Sequence, residues 1–175
     1  INTLVKICKK LNEDKLDKGN KDFQPSNLEI TSINVDNKAT NVIPATARAQ
    51  FNVRFNNLHT SYGLKKKISL IVKNLSKKNK CKFKIDYMAN GDSFLTKPDK
   101  NVFMAKKIIK RVTNITPKLS TTGGTSDARF IRKIAPCLEF GLVNKTMHRV
   151  DECVSLTDLK KLTKIYNEFL VEYFK

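Results

Sequence analysis

The chain has 175 residues, 40% of them hydrophobic, and 34 basic against 16 acidic side chains give a formal net charge of +18. That size bounds it to one ordinary domain or two small ones. No apolar run reaches the roughly 18 residues that a membrane-spanning helix needs. The amphipathic N-terminal stretch has no signal-peptide cleavage pattern. It opens at Ile1 in mid-helix, without an initiator Met, and is expected to be a piece cut from something longer.

The basic excess is carried by 28 lysines against 6 arginines, dispersed on polar faces among 17 asparagines. Arginine is the side chain whose planar fork suits phosphate and base recognition. No RNP, zinc-finger or helix-turn-helix pattern accompanies the charge. A solvated lysine surface is the expected reading, with no nucleic acid and no membrane as partner. A basic nucleic-acid-binding module is the alternative that the charge keeps open. The four cysteines, Cys8, Cys81, Cys137 and Cys153, form no CxxC or CxxxC pair. That argues against a structural zinc knuckle and for reduced, mostly buried thiols in a cytoplasmic protein.

In chain order, Ile1, Leu4, Val5, Cys8 and Leu11 share one helical face. After a polar loop, LEITSINV (28–35) reads as a strand whose alternation slips at Thr31 and Ser32, as at a β-bulge. DNKATNVIP is a turn-rich connector. ARAQFNVRF is a clean strand, with Ala49, Phe51, Val53 and Phe55 on one face and Arg48, Gln50, Asn52 and Arg54 on the other. Thr60 or Ser61 caps a helix over 62–78 that turns Leu64, Ile68, Ile71 and Leu75 inward. CKFKIDYM (81–88) alternates again as a third strand. One further strand before Ile1 would make this a ferredoxin-like βαββαβ layer.

From about Ser93 the character changes. In FLTKPDK, Pro98 and Asp99 open a helix carrying Val102, Phe103, Ile108, Ile109 and Val112. A strand, the Gly123-Gly124 turn and a helix from about Thr125 follow. PCLEFGLV (136–143) is the short, nearly continuous apolar strand of a buried parallel sheet. The last helix, 156–174, presents Leu156, Leu159, Leu162, Ile165, Tyr166, Phe169, Leu170 and Tyr173. This half is α/β with too few strands for a complete sheet.

Three segments are candidates for chemistry. In STTGGTSDARF, the glycine pair between strand and helix lets backbone N–H groups approach an anion, with Thr125 and Ser126 as hydroxyl donors and Asp127 as a cap. A plain capped turn explains the same spacing. In TNVIPATARAQFNVRF, Asn41 and Arg54 fit a carboxylate clamp, or simply a turn Asn and an exposed strand Arg. His148, in GLVNKTMHRVDECV, is either a hydrogen-bonded loop histidine or a metal ligand at a strand end. Asp151 and Glu152 follow it as a carboxylate pair. They suit partners of the ligand or charges at a helix N-terminus.

Taken together and in this order, residues 40–55, FLTKP (94–98), LSTTGGTSDARFI (119–131) and EFGLVNKTMHRVDECV (139–154) resemble the succinyl-diaminopimelate desuccinylases, within the di-zinc aminoacylase/carboxypeptidase superfamily of metallohydrolases. The resemblance covers nearly the whole chain. It implies an α/β protein: a ferredoxin-like lid (dimerisation) domain over 1–92, its first strand missing, and the C-terminal part of a zinc-peptidase-like α/β catalytic domain over 93–175. It implies two Zn2+ per subunit in the intact enzyme, with Co2+ possible at one site. His148 falls on the last metal ligand. The other ligands and the glutamate general base belong before Ile1, so this chain alone is expected to hold no catalytic residue and to be inactive. By motif match, Asn41, Arg54, Gly124, Thr125 and Asn144 contact the substrate.

The implied reaction is hydrolysis of N-succinyl-LL-2,6-diaminopimelate to succinate and LL-2,6-diaminopimelate, a step of lysine biosynthesis. A cytoplasmic bacterial homodimer, joined through the lid, would carry it out. Another deacylase or dipeptidase of the superfamily, such as an acetylornithine deacetylase, is the alternative.

Overall fold

The computed structural model describes residues 1–122 and 126–175. They form two compact units, Ile1–Leu95 and Thr96–Lys175, divided within the FLTKPDK stretch. The fold is mixed α/β, with helices and a small antiparallel two-stranded sheet.

In the first unit, α1 (Asn2–Glu13) leads to β1 (Asn27–Asn34), β2 (Arg48–Arg54) and α2 (Ser61–Lys78). The two strands pair antiparallel from Asn27↔Arg54 to Asn34↔Arg48, and the register shifts between Ile30 and Ser32, leaving Thr31 as the extra residue of a bulge. Along β2, Arg48, Gln50, Asn52 and Arg54 are exposed while Ala49, Phe51 and Val53 are half-buried, so alternation decides which face is covered. The core joins Ile7 and Leu11 of α1, Leu28 of β1, and Ile68 and Val72 of α2. The buried stripe of α1 is Ile7, Cys8 and Leu11, with Leu4 half-buried. Ile1 and Val5, expected on that face, are about half exposed, because the helix turns Ile7 inward in their place.

Helix α2 starts at a Thr60 cap: the Thr60 hydroxyl accepts from the Gly63 N–H at 3.1 Å. It satisfies one of the N–H groups that a helix start leaves orphaned. Thr60→Ala is expected to lower stability by about 1 kcal/mol while Thr60→Ser restores it, read from the midpoint of urea unfolding. An unchanged midpoint in the alanine variant would show that water replaces the cap at no cost.

The loops at one end of the sheet are tied by Asp17, whose side chain is 8% exposed. Its Oδ1 accepts from the Gly19 N–H at 2.6 Å and the Asn56 amide at 2.7 Å, and both oxygens accept from the Ser26 N–H at 3.2 Å. The His59 ring nitrogen lies 3.1 Å from Oδ2. Asn56, 3% exposed, also donates to the Gln24 carbonyl and receives the Leu58 N–H. Gly19 sits at φ +75°, where a Cβ would lie 2.7 Å from the Phe23 carbonyl oxygen. Only glycine fits that corner. Burial alone would raise the Asp17 pKa, but the hydrogen bonds from Ser26, Gly19 and Asn56 outweigh it and hold the carboxyl well below the usual carboxylate range.

CKFKIDYM forms no β-ladder, contrary to the alternation reading. Ile85 and Tyr87 still pack on the core, and the Tyr87 ring meets Phe51 edge-on at 6.4 Å. The side-chain pattern is obeyed, but strand assignment also needs a backbone partner, and none is paired with this segment among the described residues.

In the second unit, α3 (Lys100–Thr113) packs on α5 (Leu156–Tyr173), with the short α4 (Ala128–Ile131) between them in sequence. Asp99 caps α3 through the Asn101 and Val102 N–H groups, as Pro98-Asp99 foretold. Ile108, fully buried, centres the core with Ile109 and Ile165; Met104, Val112, Phe140 and Phe169 surround them. Arg111 reaches from α3 to Glu168 and Glu172 of α5, both at 2.7 Å, and these bonds raise its pKa further. Phe103 proves half exposed, and Ala105 takes its place on the buried stripe.

The expected strands at 116–122 and 136–143 show no ladder among the described residues. PCLEFGLV is instead pinned by side chains: Thr96 donates to the Cys137 carbonyl at 2.7 Å and the Tyr166 hydroxyl to that of Phe140. A parallel strand is built from its neighbours' hydrogen bonds, and its own apolar sequence cannot supply them. Of the α5 stripe, only Ile165 is buried, and Leu156, Leu159, Tyr166, Leu170 and Tyr173 remain exposed. The cysteines also depart from expectation. Cys8 is buried, its thiol pKa raised by burial, but Cys81 and Cys153 are exposed and Cys137 is intermediate.

Candidate functional site

His148 lies at the corner of a tight loop between residue 143 and α5, and it is exposed. Its φ of +62° and the φ of +59° at Asp151 are left-handed conformations that non-glycine residues seldom adopt. The chain turns at Asn144, whose carbonyl accepts from the Met147 N–H, and again at Thr146, whose carbonyl accepts from Arg149. The Glu152 carboxylate accepts from the His148 backbone N–H at 3.4 Å, so the loop's own acid braces the backbone beneath the imidazole. Asn144 is exposed in the same loop. The ring makes no hydrogen bond among the described residues, so both nitrogens are available to a ligand.

Arg54 and Asn41 belong to the first unit. Arg54, with Asn27, Glu29, Thr31 and Asn52, lines an open depression of about 420 Å³ on the exposed face of the sheet. Its guanidinium pairs with no carboxylate among the described residues, which leaves its fork free for an anion. Asn41 lies in the connection between β1 and β2, where the Asn37 side chain bonds the Ala39 N–H and the Val42 carbonyl and leaves Asn41 exposed. That connection joins the sheet at the Asn34↔Arg48 end, whereas Arg54 pairs with Asn27 at the other end. At about 3.3 Å per residue the ends of β2 are roughly 20 Å apart, so strand pairing does not bring Asn41 beside Arg54.

Gly124 and Thr125 lie outside the described residues. Beyond them, the Ser126 hydroxyl accepts from the Ala128 N–H at 3.1 Å, whereas Asp127 makes no side-chain cap bond. Among the described residues no three His, Cys, Asp or Glu side chains are grouped to hold a metal ion, and no helix is long and apolar enough to cross a membrane. The sequence offered Glu152 as a partner of His148, but the closing of the loop by Thr146 and Cys153 was not foreseen from it. The spacing Thr-x-His-x-x-x-Glu-Cys is a signal only when the loop is known to close on itself.

Residues 1–80 match the peptidase dimerisation domain of the M20 peptidases. The chain is also a homologue of curated succinyl-diaminopimelate desuccinylases. It is 62% identical over 172 residues to that of Pelagibacter ubique (strain HTCC1062), covering 98% of this chain and 45% of the relative. It is 48% identical over 172 residues to that of Methylobacterium radiotolerans, covering 98% and 44%. With that of Rickettsia bellii (strain RML369-C) it shares 45% over 169 residues, covering 97% and 43%. The chain thus spans less than half the length of the curated relatives it matches.

Proposed function

We propose that these residues are the dimerisation domain, over about 1–92, and the C-terminal part of the catalytic domain, over 93–175, of a zinc-dependent succinyl-diaminopimelate desuccinylase. The intact protein acts in the cytoplasm as a homodimer joined through the first unit. It hydrolyses N-succinyl-LL-2,6-diaminopimelate to succinate and LL-2,6-diaminopimelate for lysine biosynthesis. The observation that carries this reading is the 62% identity to a desuccinylase across 98% of the chain.

The residues present suit the metal. An exposed imidazole with both nitrogens free, on a backbone braced by Glu152, is a zinc-type donor. One such donor does not make a site, and the remaining ligands and the general base come from the part of the relatives that this chain does not span. A zinc pair held there supplies Lewis-acid polarisation of the scissile carbonyl. His148 contributes one ligand. Arg54 grips a substrate carboxylate with its two-pronged guanidinium. Asn144 donates its side-chain amide beside His148, and Asn41, Gly124 and Thr125 complete the substrate contacts.

The test is a chimera in which these residues replace the matched region of the Pelagibacter ubique desuccinylase. It is expected to hydrolyse N-succinyl-LL-2,6-diaminopimelate and to leave N-acetylornithine largely untouched. Arg54→Ala in that chimera should lower kcat/KM by about 10- to 100-fold, as hydrogen bonds to charged groups contribute about 1.5–3 kcal/mol. Its zinc content should not change. A chimera that folds and loads zinc yet prefers acetylornithine would overturn the substrate assignment.

A further inference from the structure

Thr146 has no part in the reading above, yet its hydroxyl closes the His148 loop. Thr146 Oγ1 donates to the Cys153 carbonyl at 2.7 Å and accepts from the Cys153 N–H at 3.0 Å. One side chain thus makes both bonds that a strand partner would make, and it fastens the two ends of the segment that carries His148. Inside the closure are two non-glycine residues at positive φ, His148 and Asp151. Left-handed conformations at such residues persist only where surrounding contacts over-determine them. The contacts available here are the Thr146–Cys153 pair, the Arg149 N–H to Thr146 carbonyl bond at 3.0 Å and the longer His148 N–H to Glu152 bond at 3.4 Å. The hydroxyl pair ties the loop ends, and the segment it closes is otherwise exposed, with no core packing to replace it.

We propose that Thr146 is a positioning residue for His148: its hydroxyl clamp fixes the left-handed corner from which the imidazole meets the metal. The inference rests on His148 being a metal ligand, and it adds a requirement that the ligand assignment alone does not make. A ligand presented from a floppy loop has to be ordered when the metal binds, and that ordering weakens the site. Threonine suits the task because its hydroxyl both donates and accepts, which valine of nearly the same shape cannot do.

The experiment compares Thr146→Val, Thr146→Ser and His148→Ala in the Pelagibacter chimera. Zinc affinity is measured by competition with a chelator, and amide-proton exchange at Cys153 is followed in the metal-free protein. Thr146→Val is expected to weaken one zinc site by about 10- to 100-fold, the range typical of residues that orient a ligand. It should also speed exchange at Cys153. Thr146→Ser keeps the hydroxyl and should match the parent in both. The clamp is overturned if valine leaves zinc affinity unchanged while His148→Ala empties one site, or if serine weakens the site as much as valine. If His148→Ala itself leaves both sites filled, it is the ligand assignment that fails.

Discussion

Asp17→Ala is expected to destabilise the first unit by about 3 kcal/mol at neutral pH, because it strands the Gly19 and Ser26 N–H groups and leaves the Asn56 amide with the Gln24 carbonyl as its remaining acceptor. The Gly19 and Ser26 N–H groups and the Asn56 amide all end on that carboxylate, and they come from the loops before β1 and after β2. The contribution has a definite pH dependence. The folded-state pKa lies below the unfolded value of about 3.9, so the stabilisation is complete above that value. It is lost as the pH falls further, toward the folded pKa. Urea unfolding followed by circular dichroism should therefore show a parent-to-variant gap that is constant from pH 7 to about 5 and narrows below about pH 4. A gap that stays constant down to acid pH would mean that the carboxylate's charge is irrelevant and only its shape matters.

The second large effect is on catalysis. His148→Ala in the chimera should cut turnover by more than about 100-fold, since residues that merely orient a metal ligand already cost 10- to 100-fold. The loss should appear in kcat more than in KM, because in the proposed roles the imidazole holds the reacting centre and Arg54 the substrate. Thermal unfolding of the metal-free protein should hardly change, as the ring is exposed and packs against nothing in the core. A variant with normal kcat and raised KM would make His148 a substrate contact.

The sequence was most legible where a pattern is local. Alternation along β2, the slip at Thr31, the Thr60 cap and the Asp99 cap each involve residues within a few positions of one another. Legibility failed where the partner is distant. Asp17 is joined to Asn56 across 39 residues and to His59 across 42, and neither residue looks buried in its own neighbourhood. PCLEFGLV reads as a strand because its composition is that of one, but a ladder is a property of two segments. On α5, a stripe of eight apolar positions resolves into one buried residue, Ile165, since helical spacing says which side chains share a face and not whether anything covers it. Of the candidate site, the sequence could single out His148 as a candidate ligand but not show how it is presented. Histidine and aspartate signal positive φ far more weakly than glycine does, and Thr146 discloses its role only once Cys153 is folded back onto it.

The most direct measurement is the number of zinc ions bound per subunit, by elemental analysis, in the Pelagibacter chimera before and after His148→Ala. Two ions falling to one, with the dimer and the fold intact, is the predicted result. Two ions retained in the variant would contradict the account, since His148 would then be an ordinary loop histidine.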